Sequence, residues 1–188
     1  MPFIDPLAVM LLGVAMSATF IAYYLIGAAK GKRNLANLAG PIFVLGLFDL
    51  LSGFYMSFFW PLPGAYNMLF GDPMLVLGLI MLSGGFALYE NLDVRPISLL
   101  GFLLGIYLFV ESYGMVAYHL EKGIYLPPAL GFFLLSALSG FLSPIVYMAP
   151  KGKGKIAYYF LAALVVLVAV AAMFISLTSI NGHLISPP

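Results

Sequence analysis

Residues 156–178 read IAYYFLAALVVLVAVAAMFISLT, an apolar run without one charged side chain. A helix rises 1.5 Å per residue, so about 20 such residues cross the hydrocarbon core of a bilayer. Five more runs of this kind precede it, near 6–29, 41–60, 73–90, 96–118 and 127–149. Together the six take up almost the whole 188-residue chain. In lipid each backbone N–H and C=O must be satisfied within its own segment, which selects helix for every run. The expected fold is all-α, a single transmembrane domain over 1–188 with six transmembrane helices.

Composition excludes most other classes. Hydrophobic residues make up 63% and charged residues 8% of the chain, against about 25% charged in a soluble domain. A net charge of +1 offers no basic face to nucleic acid. The chain has no cysteine, so disulfides, thiolate metal sites and a cysteine nucleophile are out. The N-terminus, Met1-Pro2-Phe3-Ile4-Asp5-Pro6, lacks a basic leader segment, and the first run reads as a retained helix. There is no nucleophile elbow, zinc-protease helix, P-loop or dinucleotide fingerprint. An enzyme is not expected, nor a metal or other cofactor.

The ends of the runs carry helix punctuation. Pro6, Pro41, Pro73, Pro96 and Pro127 sit near the starts, where a missing N–H costs little. Asp72 before Pro73 predicts an N-cap. Lys and Arg set orientation. Lys30, Lys32, Arg33, Arg95, Lys151, Lys153 and Lys155 fall in alternate loops, and only Lys122 falls on the other side. This predicts a multi-pass protein of the cell membrane with both termini outside the cytoplasm. Trp60, Tyr66, Tyr118 and Tyr125 then lie at the outer boundary, where amphipathic rings are favoured. The cytoplasmic turns near 32, 93 and 153 are about 60 residues apart, which predicts three successive helical hairpins.

Asp49 is the sharpest chemical signal, near the middle of the second run. A charge there costs a few kcal/mol unless it faces the bundle interior, a partner or water. Gly46, Ser52, Gly53 and Met56 share its face by helical spacing. The functional reading is a solute-coordinating or proton-accepting group beside a pathway. The plain one is an acid that hydrogen-bonds another helix and fixes packing. Glu111 is second, with Tyr107 and Met115 one turn away. Its depth differs from that of Asp49 by about 5 Å, so the two are candidates for a shared proton. An interfacial carboxylate reaching headgroup water is the other reading. His119 and His183 have no second ligand at close spacing and read as boundary residues.

Gly101 and Gly105 form a small-residue face in the fourth run, and Ser136, Ser139, Gly140 and Ser143 another in the fifth, where Pro144 predicts a kink. These read as packing surfaces, as do Gly46 and Gly53. The stretch 58–73, with Trp60, Tyr66 and Asn67, is too apolar for a solvated loop and too rich in Pro and Gly for one helix. It reads either as a cap or plug over the outer mouth or as a stiff interfacial hairpin.

The run FWPLPGAYNMLFGDP at 59–73, with Asp93-Val94-Arg95-Pro96, resembles a family of archaeal and bacterial integral-membrane proteins catalogued as a domain of unknown function. The resemblance covers the whole chain and implies a multi-spanning protein with no assigned functional residues. More weakly, Leu92-Asp93-Val94-Arg95-Pro96-Ile97-Ser98 resembles a run in the amide and urea channel family. That resemblance implies six helices, a homo-oligomeric ring and a pore through each protomer. The single tryptophan and the lack of histidine-rich loops depart from that family, and acid gating is not implied. The expected function is a channel or facilitator for a small, mostly neutral solute in a homo-oligomer, surrounded by membrane lipid. Asp49, Ser52, Tyr107 and Glu111 are the route candidates. A proton-coupled carrier, a non-transporting accessory subunit and, lower still, a redox or lipid-modifying subunit are the alternatives.

Overall fold

A computed structural model describes residues 6–31, 35–148 and 154–185. The helices are α1 (Pro6–Ala29), α2 (Ala39–Phe59), α3 (Tyr66–Tyr89), α4 (Ser98–Ala117), α5 (Leu126–Leu142), α6 (Ile145–Met148) and α7 (Gly154–Ile185). Short 3-10 turns at 36–38, 95–97 and 123–125 lead into α2, α4 and α5. No strand occurs among the described residues. Six segments are long and apolar enough to cross a membrane, α5 and α6 counting as one. The chain is a multi-pass membrane protein. Successive spans alternate in direction, so Lys30, Arg95 and Lys155 share one end of the bundle, here the basic end. The start of α1, the end of α7 and Lys122 share the other, the terminal end. Lys32, Arg33, Lys151 and Lys153, which also entered the orientation argument, lie outside the described residues.

Two boundaries differ from expectation, and the kink expected at Pro144 is present. α3 starts at Tyr66, seven residues before Pro73, so Pro73 is inside the helix and Asp72 is not its N-cap. The early start is set by Asn67, whose buried amide ties down the preceding turn. α5 stops at Leu142, and the chain breaks at Ser143-Pro144 before α6. This is the expected proline effect: Pro144 has no N–H to continue the ladder. α7 continues to Ile185, beyond the predicted 178.

The closest helix pairs are α2 with α3, α4 with α5, and α1 with α7. Three antiparallel pairs were expected, but joined at the basic loops. The close pairs are instead joined at the terminal end, and the last pair brings the start of α1 beside the end of α7. The cause is where small residues fall. Gly46 and Gly53 of α2 admit the Met81–Leu82 and Gly71–Leu75 stretches of α3, and Gly71, Gly78 and Gly85 of α3 admit Met56–Ser57, Leu50 and Phe43 of α2, a seam with a seven-residue repeat. A Cβ on Gly53 would stand 2.2 Å from the Leu75 amide nitrogen. Gly101 and Gly105 of α4 meet Gly140 and Ser143 of α5. In the third pair, Ser176 Oγ donates to the Ala8 carbonyl at 2.7 Å, fully buried. Backbone approach of this kind drives helix association in lipid, where apolar surface gains little by leaving the bilayer.

The core joins α1, α5 and α7 through Leu11, Ala15, Phe133, Ala137, Val165 and Ala172. A smaller methionine cluster, Met10, Met56 and Met74, ties α1 to α2 and α3. Outward faces carry exposed Phe, Leu and Val, such as Val44, Phe58 and Val110, as lipid contact requires.

Candidate functional site

Asp49 is fully buried. Its Oδ2 accepts a 2.6 Å hydrogen bond from Ser17 Oγ of α1, and its Oδ1 has no partner. Oδ1 lies 3.1 Å from where a Gly13 Cβ would stand. A Cβ there would first meet the Phe48 ring, at 2.4 Å, so the missing side chain at Gly13 lets α1 close on Phe48 and Asp49 together. Ser52 points elsewhere, into a shallow groove with Pro6, Val9 and Tyr55. Asp49 lines neither that groove nor the main cavity. The shared proton with Glu111 is also not seen. Asp49 bonds to Ser17, and the electrostatic neighbours of Glu111 are Asp72 and Tyr107.

The main cavity occupies about 260 Å³ between the three helix pairs. Along α1 its lining runs from Leu7 to Leu25, a rise of about 27 Å. Met10, Met74, Leu104, Leu108, Phe132 and Val165 are typical of its wall. Polar groups come mainly near the basic end, where Tyr24, Ser98, Ser143 and Tyr147 contribute. Ser143 Oγ donates to the Ser98 carbonyl at 2.9 Å. Ser139 bonds back to the Leu135 carbonyl, as helix serines usually do. Ser136, also on the wall, has a buried Oγ with no partner. A wall of this predominantly apolar kind suits an apolar guest.

The stretch from Trp60 to Ala65 is a short turn between α2 and α3, and the rest of the 58–73 segment is helical, with Leu69, Phe70 and Pro73 on the cavity wall. Trp60 ends α2 in the left-handed region at φ 53°, with its N–H on the Met56 carbonyl. Asn67 is fully buried. Its Oδ1 accepts the Leu62 N–H at 2.9 Å, and its Nδ2 donates to the carbonyls of Leu62 and Gly64. Tyr66 donates to the Leu120 carbonyl at 3.3 Å, tying this turn to the one after α4. Trp60, Tyr66 and Asn67 therefore fix the turn and line no part of the cavity.

Near the terminal end a polar cluster joins three helices. Asp72 Oδ1 accepts from Ser57 Oγ at 2.5 Å, and Oδ2 accepts from Tyr107 Oη at 2.8 Å. Glu111 stands one turn beyond Tyr107, and its Oε2 is buried without a partner. Sequence reasoning named Tyr107 and Glu111 but assigned Asp72 to a cap. The Asp-Pro pair is the same local signal in both settings. Only the start of α3 at Tyr66 distinguishes them. Among the described residues no three His, Cys, Asp or Glu side chains converge on a metal position.

At the basic end Asp93 accepts the Arg95 backbone N–H at 2.9 Å and its Nε–H at 2.6 Å. The Arg95 hydrogen bonds hold the Asp93 carboxyl below its ordinary range. Ser98 Oγ donates to the Arg95 carbonyl at 2.7 Å. The Asp-x-Arg-Pro-x-Ser run thus works as the start of α4. The pair is exposed and contributes little to stability.

A family model described as "Protein of unknown function (DUF981)" matches residues 1–186. No curated protein matches the chain, and no solved structure does.

Proposed function

The chain belongs to the DUF981 family of unknown function, and on that premise we propose that it takes a small apolar or amphiphilic molecule into its intramembrane cavity and gives it a path across the bilayer. The observation that carries this is the cavity itself, about 260 Å³ of space walled mainly by Leu, Ile, Val, Met and Phe over most of the length of α1. A urea-like solute needs replacements for its hydrogen bonds with water. Without them each polar group costs on the order of 1–3 kcal/mol. The middle of this cavity offers the hydroxyls of Ser136 and Ser139, the latter already donating to the Leu135 carbonyl. An apolar or amphiphilic guest fits the wall better than the neutral polar solute expected from sequence. Asp49 then serves packing between α1 and α2, away from the route.

An accessory subunit needs small-residue faces free for a partner. Gly46, Gly53, Gly101 and Gly105 are already used inside the chain, which disfavours that alternative.

A diazirine-bearing octanol, photolysed with the purified protein in lipid nanodiscs, tests the reading. Saturable labelling of peptides containing Leu104, Leu108 and Phe133 is expected, and Leu104→Trp is expected to abolish it. Labelling confined to lipid-facing positions such as Val44 and Phe58, and unchanged by Leu104→Trp, overturns the reading.

A further inference from the structure

We propose that the basic end of the cavity is a head site, in which Tyr24 and Tyr147 hold the anionic, hydrogen-bond-accepting head of an amphiphile whose alkyl chain lies along the apolar wall. The inference rests on the cavity being a binding site and adds the chemistry of what it binds.

Three observations carry it. First, the residues are on the cavity wall itself. Tyr24, Ser98, Ser143 and Tyr147 line it, brought from α1, α4, the break at Pro144 and α6. Towards the terminal end the wall is Leu7, Met10, Leu69, Phe70 and Met74. Apart from Ser136 and Ser139, the cavity is polar at one end and apolar along the rest, which is the pattern of an amphiphile. Second, the tyrosine donors are open. Ser143 Oγ gives its proton to the Ser98 carbonyl, and Ser98 Oγ gives its own to the Arg95 carbonyl. Neither Tyr24 nor Tyr147 makes a hydrogen bond to another described residue, and each is an electrostatic neighbour of the same third tyrosine, Tyr158. A tyrosine hydroxyl in an apolar wall usually finds a partner, so two open ones in one wall mark a place for an acceptor. Tyr158 meets Tyr147 edge to face, with ring centroids 6.2 Å apart, and fixes its ring. Third, the polar side of the wall continues inward. Ser136 Oγ is buried without a partner, seven residues before Ser143 and about 10 Å deeper along the helix.

The sign of the head follows from the charges. Lys30, Arg95 and Lys155 stand at this end, and the same loops of the sequence hold Lys32, Arg33, Lys151 and Lys153 against the acids Glu90 and Asp93. Asp93 and Arg95 are both electrostatic neighbours of Tyr147, but they are paired with each other. The surplus at this end is therefore positive. A cationic head would be repelled and would leave the phenol protons unused. A carboxylate, sulfonate or phosphate meets both the charge and the donors. Such a head comes either from a single-chain amphiphile or from an anionic lipid of the bilayer.

Two octanesulfonate photoprobes, one with a diazirine beside the sulfonate and one with it at the chain end, test this in zwitterionic nanodiscs. The head probe is expected to label Val94 and Ser98, and the tail probe Leu104 and Leu108, about 9–15 Å further along α4. Unlabelled octanesulfonate is expected to displace the head probe at a concentration at least about tenfold below octylammonium, the scale of a hydrogen bond to a charged group. In Tyr24→Phe and Tyr147→Phe, which keep the rings, that ratio is expected to fall several-fold. Bilayer partitioning is common to wild type and variants and cancels when their ratios are compared. The labelling pattern in wild type decides the site's position without any variant. A reversed pattern, or a ratio unchanged in both variants, overturns the head site, and saturable diazirine-octanol labelling then leaves the cavity reading standing. Failure of all three probes to label the wall saturably overturns both. Effective competition by methanesulfonate, which has the charge without the chain, reassigns the tyrosines to free anions and overturns the amphiphile. Adding phosphatidylglycerol to the nanodiscs separates the two sources. Loss of head-probe labelling in wild type that exceeds the loss in Tyr147→Phe assigns the head to the bilayer's own lipid, and equal labelling with and without it assigns the head to a single-chain guest.

Discussion

Replacing Gly53 by alanine should loosen the α2–α3 pair by an amount that can be worked out from its geometry. The new Cβ would lie 2.2 Å from the Leu75 nitrogen, 2.6 Å from its Cα and 2.8 Å from the Gly71 carbonyl oxygen. Ordinary contact begins near 3.4 Å, so the helices must part by about 1.2 Å at this point. All three obstacles are backbone atoms, and no rotamer change relieves them. Overpacking of this kind costs about 1–3 kcal/mol, and the rigid surroundings favour the upper end. Alanine returns about 1 kcal/mol through its better helix propensity. Parting the helices also strains the Ser57–Asp72 hydrogen bond, worth about 1 kcal/mol. The expected net loss is about 2–3 kcal/mol. Reversible SDS unfolding in bicelles would measure it. Gly78→Ala, whose Cβ would stand 2.3 Å from the Leu50 nitrogen, presses on the same seam. Once one substitution has separated the helices the second has less to do, so the double variant should lose clearly less than the sum. Gly131 in α5 has nothing within 4 Å of a built Cβ, so Gly131→Ala should be neutral or slightly stabilising. A Gly53→Ala protein within about 0.5 kcal/mol of wild type, or strict additivity with Gly78→Ala, would refute the argument that this seam is closed by backbone contact.

Two further outcomes are expected. Asp49→Leu leaves the Ser17 hydroxyl without its acceptor in a closed interface and should cost on the order of 1–3 kcal/mol, while Asp49→Asn, which keeps an acceptor, should cost less. Neither should alter octanol labelling, and a clear change in labelling with the isosteric Asn variant would place Asp49 on the route after all. The chain has no cysteine of its own, so single cysteines report sidedness directly. A membrane-impermeant maleimide on intact cells should label Gly182→Cys and spare Leu92→Cys, and the reverse pattern would invert the orientation drawn from Lys and Arg.

The sequence alone determined that the chain crosses the membrane six times as helices and which loops hold the positive charge. Both are local properties: a bilayer imposes a length on each segment separately, and a helix satisfies its own backbone without help from a neighbour. It also marked Gly46, Gly53, Gly101 and Gly105 as close-approach positions, because only a missing Cβ permits such contact. Which helix would fill the space was not local. The shared seven-residue spacing of the glycines on α2 and α3, which lets each helix admit the other's backbone, and the use of Ser176 to hold Ala8, moved the close pairs by one helix around the bundle. Asp72 shows the same limit at the scale of one residue. Beside Pro73 it has the signature of a cap, and Asn67, by fixing the turn at Leu62 and Gly64, starts the helix early and carries Asp72 into the bundle. Asp49, the clearest signal in the sequence, is closed off because Gly13 and Ser17 come from a different span. The cavity left no mark along the chain, because it is space bounded by side chains from several helices, and space of that kind exists only once those helices are packed together.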